Sequence, residues 1–92
     1  MNVDRAGEIA LKAMAWLVGN EELLPVFLGS TGAEIVDLRT QASEPSMQLS
    51  VLDFLMMDDA WVVACCDHLG LPYEALFDAR QSLPGGAMTH WT

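Results

Sequence analysis

The chain has 92 residues, with 13 acids against four bases and a net charge of −9. Those bases, Arg5, Lys12, Arg39 and Arg80, are too few and too scattered to neutralise a phosphate backbone. The excess acid repels one, which excludes nucleic acid as a partner and disfavours an anionic membrane surface.

No apolar run reaches the roughly 20 residues of a membrane-spanning helix. Glu8 stands where an export signal would be apolar, and the expected location is the cytoplasm. The sequence is 52% hydrophobic before its seven glycines are counted, above the usual composition. A chain this short forms one domain that buries only about two-thirds of its unfolded surface. Its apolar surplus is therefore expected to line a groove or a subunit contact. The domain is expected over residues 1–83, with 84–92 as a flexible tail.

A first helix is predicted from about Asp4 to Val18. Arg5, Glu8 and Lys12 form its polar stripe, with Glu8 and Lys12 in the favourable i, i+4 order. Ile9, Ala10, Ala13, Trp16 and Leu17 make an apolar stripe flanked by Leu11, Met14 and Val18, an arc wide enough to be buried on more than one side. Gly19 closes this helix, and Asn20 is suited to cap a second one carrying Leu23, Leu24, Val26, Phe27 and Leu28. Pro25 is expected to make that second helix irregular, because inside a helix it removes a donor and crowds the preceding turn. Gly29 to Gly32 reads as a turn, Ile35, Leu38 and Ala42 as a short third helix, and Arg39 to Glu44 as a polar joint.

The longest apolar block, Pro45 to Gly70, is broken only at Asp58-Asp59. Pro45 suits a first helical position. Met47, Val51 and Phe54 follow at helical spacing with Leu52, Leu55 and Met56 alongside, while Ser46, Ser50, Asp53 and Met57 share the remaining stripe. Asp58 is a good N-cap for the next helix, in which Val62, Cys65, Cys66 and Leu69 recur at i, i+3, i+4 and i+7. Gly70 ends it in a left-handed position. This hairpin is expected to be the core around which the rest packs. Pro72 then opens a last helix with Tyr73, Leu76, Phe77 and Arg80 inward and Glu74, Asp78 and Gln81 outward, stopped by Leu83-Pro84-Gly85-Gly86. The predicted fold is all-α, a compact bundle of five or six short helices.

A shift of 38 positions lays residues 10–43 on 48–81. Leu11/Leu49, Leu17/Leu55, Gly32/Gly70 and Leu38/Leu76 then coincide, and the cap Asn20-Glu21 falls on Asp58-Asp59. Each half reads as long helix, capped joint, second helix, glycine and short third helix, the pattern of a duplicated triplet. The competing explanation is that any two helical triplets of similar length align this way.

Three segments carry a family resemblance: Gly29-Ser30-Thr31-Gly32 with Asp37-Leu38-Arg39, then Asp53 to Asp59 (DFLMMDD), then Gly70 to Ala75 (GLPYEA) with Ala79-Arg80. They resemble a family of small bacterial proteins, classed only as a domain of unknown function, that pairs "LTG…DLR", "DFLL.DE" and "GLP.EA…AR" segments. The resemblance covers nearly the whole chain, and Pro25 is a departure from the helix formers expected there. Its motifs are caps and helix joints. It implies a helical fold and, through genes lying near two-component response regulators, a link to bacterial signalling. It implies no activity.

Cys65, Cys66 and His68 are the nearest approach to a metal or thiol site. A closed zinc site takes about four ligands, and the other histidine, His90, lies in the tail. Free cysteine packs as a small hydrophobe, so core packing is the expected role. The acid pairs Glu21-Glu22 and Asp58-Asp59 sit at predicted helix starts, where the macrodipole accounts for them. Gly29 to Gly32 lacks the lysine of a phosphate loop. No catalytic residue and no cofactor is expected. Met57, in the polar stripe of its helix, and Trp91 are the expected contact residues for a partner. The expected function is a non-enzymatic protein–protein interaction or adaptor module, whose partner is another protein or a second copy. The alternatives are a thiol- or metal-responsive regulator built on Cys65, Cys66 and His68, and a small enzyme without a recognisable motif.

Overall fold

Asn2 starts the first helix: its Oδ1 accepts the Arg5 N–H at 2.7 Å, filling one of the donors that a helix start leaves open. In the computed structural model, which describes residues 1–85, α1 spans Val3–Val18, α2 Leu23–Thr31, α3 Ile35–Thr40, α4 Pro45–Leu55, α5 Asp59–Leu69 and α6 Ala75–Ser82. The described residues thus form an all-α bundle of six helices. Its radius of gyration is 12.3 Å, close to the value of about 12 Å for a folded chain of this length.

The joints that follow α1 and α4 use the same device. Asn20 Oδ1 accepts from the Glu22 and Leu23 amides, each at 3.0 Å, ahead of α2. Asp58 Oδ1 accepts from the Ala60 amide at 2.8 Å ahead of α5. Gly32 and Gly70 end α2 and α5 at φ of 75° and 69°, where a β-carbon would be strained. Pro25 causes no break. It is the third residue of α2, inside the first turn, where a helix has no use for its amide. Gly29, Ser30 and Thr31 form the last turn of α2 rather than a separate turn. The Ser30 and Thr31 hydroxyls donate to the Phe27 carbonyl at 3.2 and 2.8 Å, which satisfies side chains that would otherwise compete with the helix. At the other joint, Pro72 to Glu74 precede α6 as a turn instead of opening it.

The centre of the molecule is α1, not the α4–α5 hairpin. α1 packs most extensively against α6 and next against α4, while α4 and α5 touch each other far less. Ala6, Ala10 and Ala13 are fully buried on α1, and Ala75 and Ala79 are buried on α6. Side chains that small let two helix axes approach closely. Leu76, Leu83, Val51, Leu52 and Leu55 fill the space around them. Sequence reading weights large apolar side chains and so overlooks a contact built on alanine. Tyr73 and Phe77, expected inward, are more than half exposed: Tyr73 lies in the turn before α6, and Phe77 lies off the α6 face turned to α1, which carries Ala75, Leu76 and Ala79.

A second cluster ties α2 to the hairpin. Phe27 meets Phe54 edge to face with centroids 5.3 Å apart, and Phe54 stacks on Trp61 at 4.9 Å, both favoured aromatic geometries. Gln48 is the buried polar residue of this core, and its Nε2 donates to the Ala42 carbonyl at 3.0 Å. It pins the joint before α4 to the body of the bundle. No helix among the described residues is long and apolar enough to cross a membrane.

Candidate docking groove

Leu11, Met14, Ala15 and Val18 recur at i, i+3, i+4 and i+7 along one side of α1. Ile35, Leu38, Arg39 and Ala42 recur at the same spacing along α3 and just beyond it. The two stripes face each other across an open trough of about 390 Å³. Met14 and Leu38 are buried at its floor, whereas Leu11, Val18 and Ile35 are 43, 40 and 48% exposed on its walls. The α1 wall runs for about two helical turns, roughly 10 Å.

The groove exists because α3 is only six residues long and buries a single side chain, Leu38. Glu34 donates its amide to Asp37 Oδ2 at 2.8 Å, which starts α3 but adds no packing against α1. The wide apolar arc of α1 is therefore covered on its alanine side and left open along Leu11 and Val18. The surplus was legible in the sequence; its location was not, since nothing in the spacing says which part of an arc a short helix fails to cover.

Charge around this groove is unusual for the chain. Glu8 is shared by Arg5 at 3.0 Å and Lys12 at 3.5 Å, and the hydrogen bond from Arg5, followed by the charges of both bases, holds its carboxyl below the ordinary range. Arg80 is paired with Asp53, a hydrogen bond that raises the guanidinium further. Arg39 lines the groove and has no ion-pair partner among the described residues. No acid lines the groove with it.

Other sequence candidates fall elsewhere. Cys65 and Cys66 are fully buried in α5 while His68 is exposed, so the structure does not bring the three together. Burial, with a smaller contribution from the neighbouring Cys66, pushes the Cys65 thiol up to about 12, and burial also raises Cys66. Reactive cysteines need the opposite shift. His68 instead lines a larger hollow of about 510 Å³ with Trp16, Asn20, Glu21 and Glu22. That hollow is formed by the cap of α2, and the Asn20 Oδ1 is already occupied by two amides. Among the described residues no three His, Cys, Asp or Glu side chains are placed to hold a metal. Of the acid pairs, Asp58 is committed as the cap of α5, and Glu21 and Glu22 lie in the hollow with His68.

Met57 is 76% exposed, as its polar stripe suggested, but it lies past the end of α4, in the turn before Asp58, and not in the groove. Trp91 lies outside the described residues. Sequence reasoning passed over Leu11, Val18, Ile35 and Arg39 as contact residues. The available signal was Leu11 and Val18, seven residues apart and to one side of the stripe centred on Ala10 and Ala13.

These features define a small all-helical bundle with an apolar groove between two of its helices. A family model described as a protein of unknown function (DUF3572) matches residues 3–86, and the chain belongs to that family. No curated protein and no solved structure matches it.

Proposed function

We propose that this chain is a non-enzymatic interaction module that receives an amphipathic helix of another protein in the α1–α3 groove. The observation that carries the reading is the pair of exposed, helically spaced apolar stripes on α1 and α3. A helix laid in a groove is anchored by side chains at that periodicity. The buried cysteines, with the Cys65 thiol raised by that burial, favour this reading over the thiol-sensing one. The link to bacterial signalling that the family resemblance implies, in the cytoplasm expected from the sequence composition, is a natural setting for such a module.

The test is site-specific photocrosslinking in the producing cell, with benzoylphenylalanine in place of Ile35 on the groove wall or of Ser46, exposed on α4 outside it. Adducts with another protein are expected from position 35, not from 46, and are expected to disappear when Leu11→Glu is added. Absence of a groove-specific adduct, or adducts that survive Leu11→Glu, overturns the reading.

A further inference from the structure

The groove carries more information than its apolar lining. Each of the two short third helices has one arginine in its last turn, Arg39 on α3 and Arg80 on α6. A cation there is favoured by the helix macrodipole whatever else it does. The two differ in what the side chain reaches. Arg80 is bound by Asp53 from α4, with a second contact from Nη2 to Oδ2 at 3.4 Å. Arg5 and Lys12 are likewise occupied, both by Glu8. In a chain with 13 acids and four bases, the base without an intramolecular acid among the described residues is the one on the wall of the apolar groove.

We infer that the groove selects a partner helix bearing one carboxylate at the edge of its apolar stripe, positioned to pair with Arg39, and an outer face free of further acids. This specifies the partner of the reading above and rests on it. The apolar walls supply area, and Arg39 supplies register: a carboxylate on the guanidinium fixes where the helix sits along the trough and excludes a helix with a lysine there. The outer face is non-acidic because the molecule as a whole carries nine excess negative charges, which repel any further acid on the incoming helix. The same field opposes a second copy, which would bring an equal negative charge into contact. Residues 86–92, GAMTHWT, contain no Asp or Glu side chain to offer Arg39.

The probe is a pair of short, labelled, alanine-based helical peptides with leucines at i, i+4 and i+7. They are identical except for a glutamate or a lysine at the edge of the stripe. Binding to the full chain is read by fluorescence anisotropy. The glutamate peptide is expected to bind about tenfold more tightly than the lysine peptide, the scale of a well-placed interfacial charge pair. The preference is expected to reverse in Arg39→Glu and to shrink as salt screens the pair. Leu11→Glu, a change at an exposed position, should weaken both peptides.

Equal affinity of the two peptides for the wild-type chain overturns the Arg39 inference and leaves the groove reading standing. A preference that persists in Arg39→Glu also overturns it, because another group is then the reader. Undiminished binding to Leu11→Glu, or no binding of either peptide, overturns the groove itself. Sedimentation showing wild-type chains associated through a contact that Leu11→Glu abolishes assigns the groove to a second copy and likewise overturns the inference.

Discussion

α3 and α6 occupy equivalent places in the chain, each following a helix that ends in a left-handed glycine, yet they end up in different physical situations. α6 presents Ala75, Leu76 and Ala79 to α1 and α4 and is drawn into the core. α3 presents Ile35, Leu38 and Arg39 to α1 and is held off, with Leu38 alone buried. Alanine permits a close approach and full burial. A branched side chain and a guanidinium on a six-residue helix keep the axes apart and leave a trough. The contrast teaches that a repeated local pattern does not impose repeated packing. The order of helices, caps and glycines recurs in both halves, but α3 has no counterpart on α4 to the extensive packing of α6 on α1.

The largest effect that can break this contrast is a truncation. Leu76→Ala removes a fully buried side chain and should lower stability by about 2–5 kcal/mol. Ile35→Ala, nearly half exposed on α3, should change it by no more than about 0.5 kcal/mol. Urea unfolding followed by circular dichroism measures both, and equal losses would mean that α3 is packed like α6.

Next in size is overpacking. Ala79→Leu forces a larger side chain into the α1–α6 contact and should cost about 1–3 kcal/mol, whereas Ala42→Leu, at the half-open end of the groove, should be tolerated. Thermal melts distinguish them; a neutral Ala79→Leu would show that the helices are not in close contact.

Smaller and deliberately symmetric are Gly32→Ala and Gly70→Ala. Neither added β-carbon meets a neighbour within 4 Å, so each change carries only the backbone penalty of a left-handed alanine, about 1 kcal/mol. Matching losses sharpen the view that the halves share local design and differ in packing. A loss at one glycine alone argues against it.

The last effect shows only in alkali. The folded Cys65 thiol is raised to about 12 by burial, above its unfolded value, so in alkali the folded state holds a proton that the unfolded chain releases. Its stabilising contribution is complete below the ordinary thiol range and is lost as pH rises toward 12. Cys65→Ala should flatten the stability profile in that window, and native Cys65 should resist iodoacetamide at pH 8 until the protein is unfolded. Rapid native alkylation would return the thiol to consideration as a sensor.

Much of this fold was legible because helix ends have local causes. Asn20, Asp58, Pro45 and Gly70 announce their positions through the donors they fill or the φ they adopt. The groove was not legible, because Leu11 and Val18 look like core to any periodicity argument. Their exposure depends on how far a distant six-residue helix reaches. Trp61 gave no hint of its stacking on Phe54 for the same reason.

Five or six helices, the caps Asn20 and Asp58, the Gly70 stop, an apolar excess and a strongly acidic character could be read from the chain, since each depends on neighbours a few residues away or on composition alone. Tertiary structure alone decided that α1 is the hub, that α6 is inside and α3 at the rim, and that Arg39 rather than Arg80 is left facing a groove. Those outcomes depend on which helices are small enough at their contact faces to approach α1, a property of pairs of surfaces that no single stretch of chain contains.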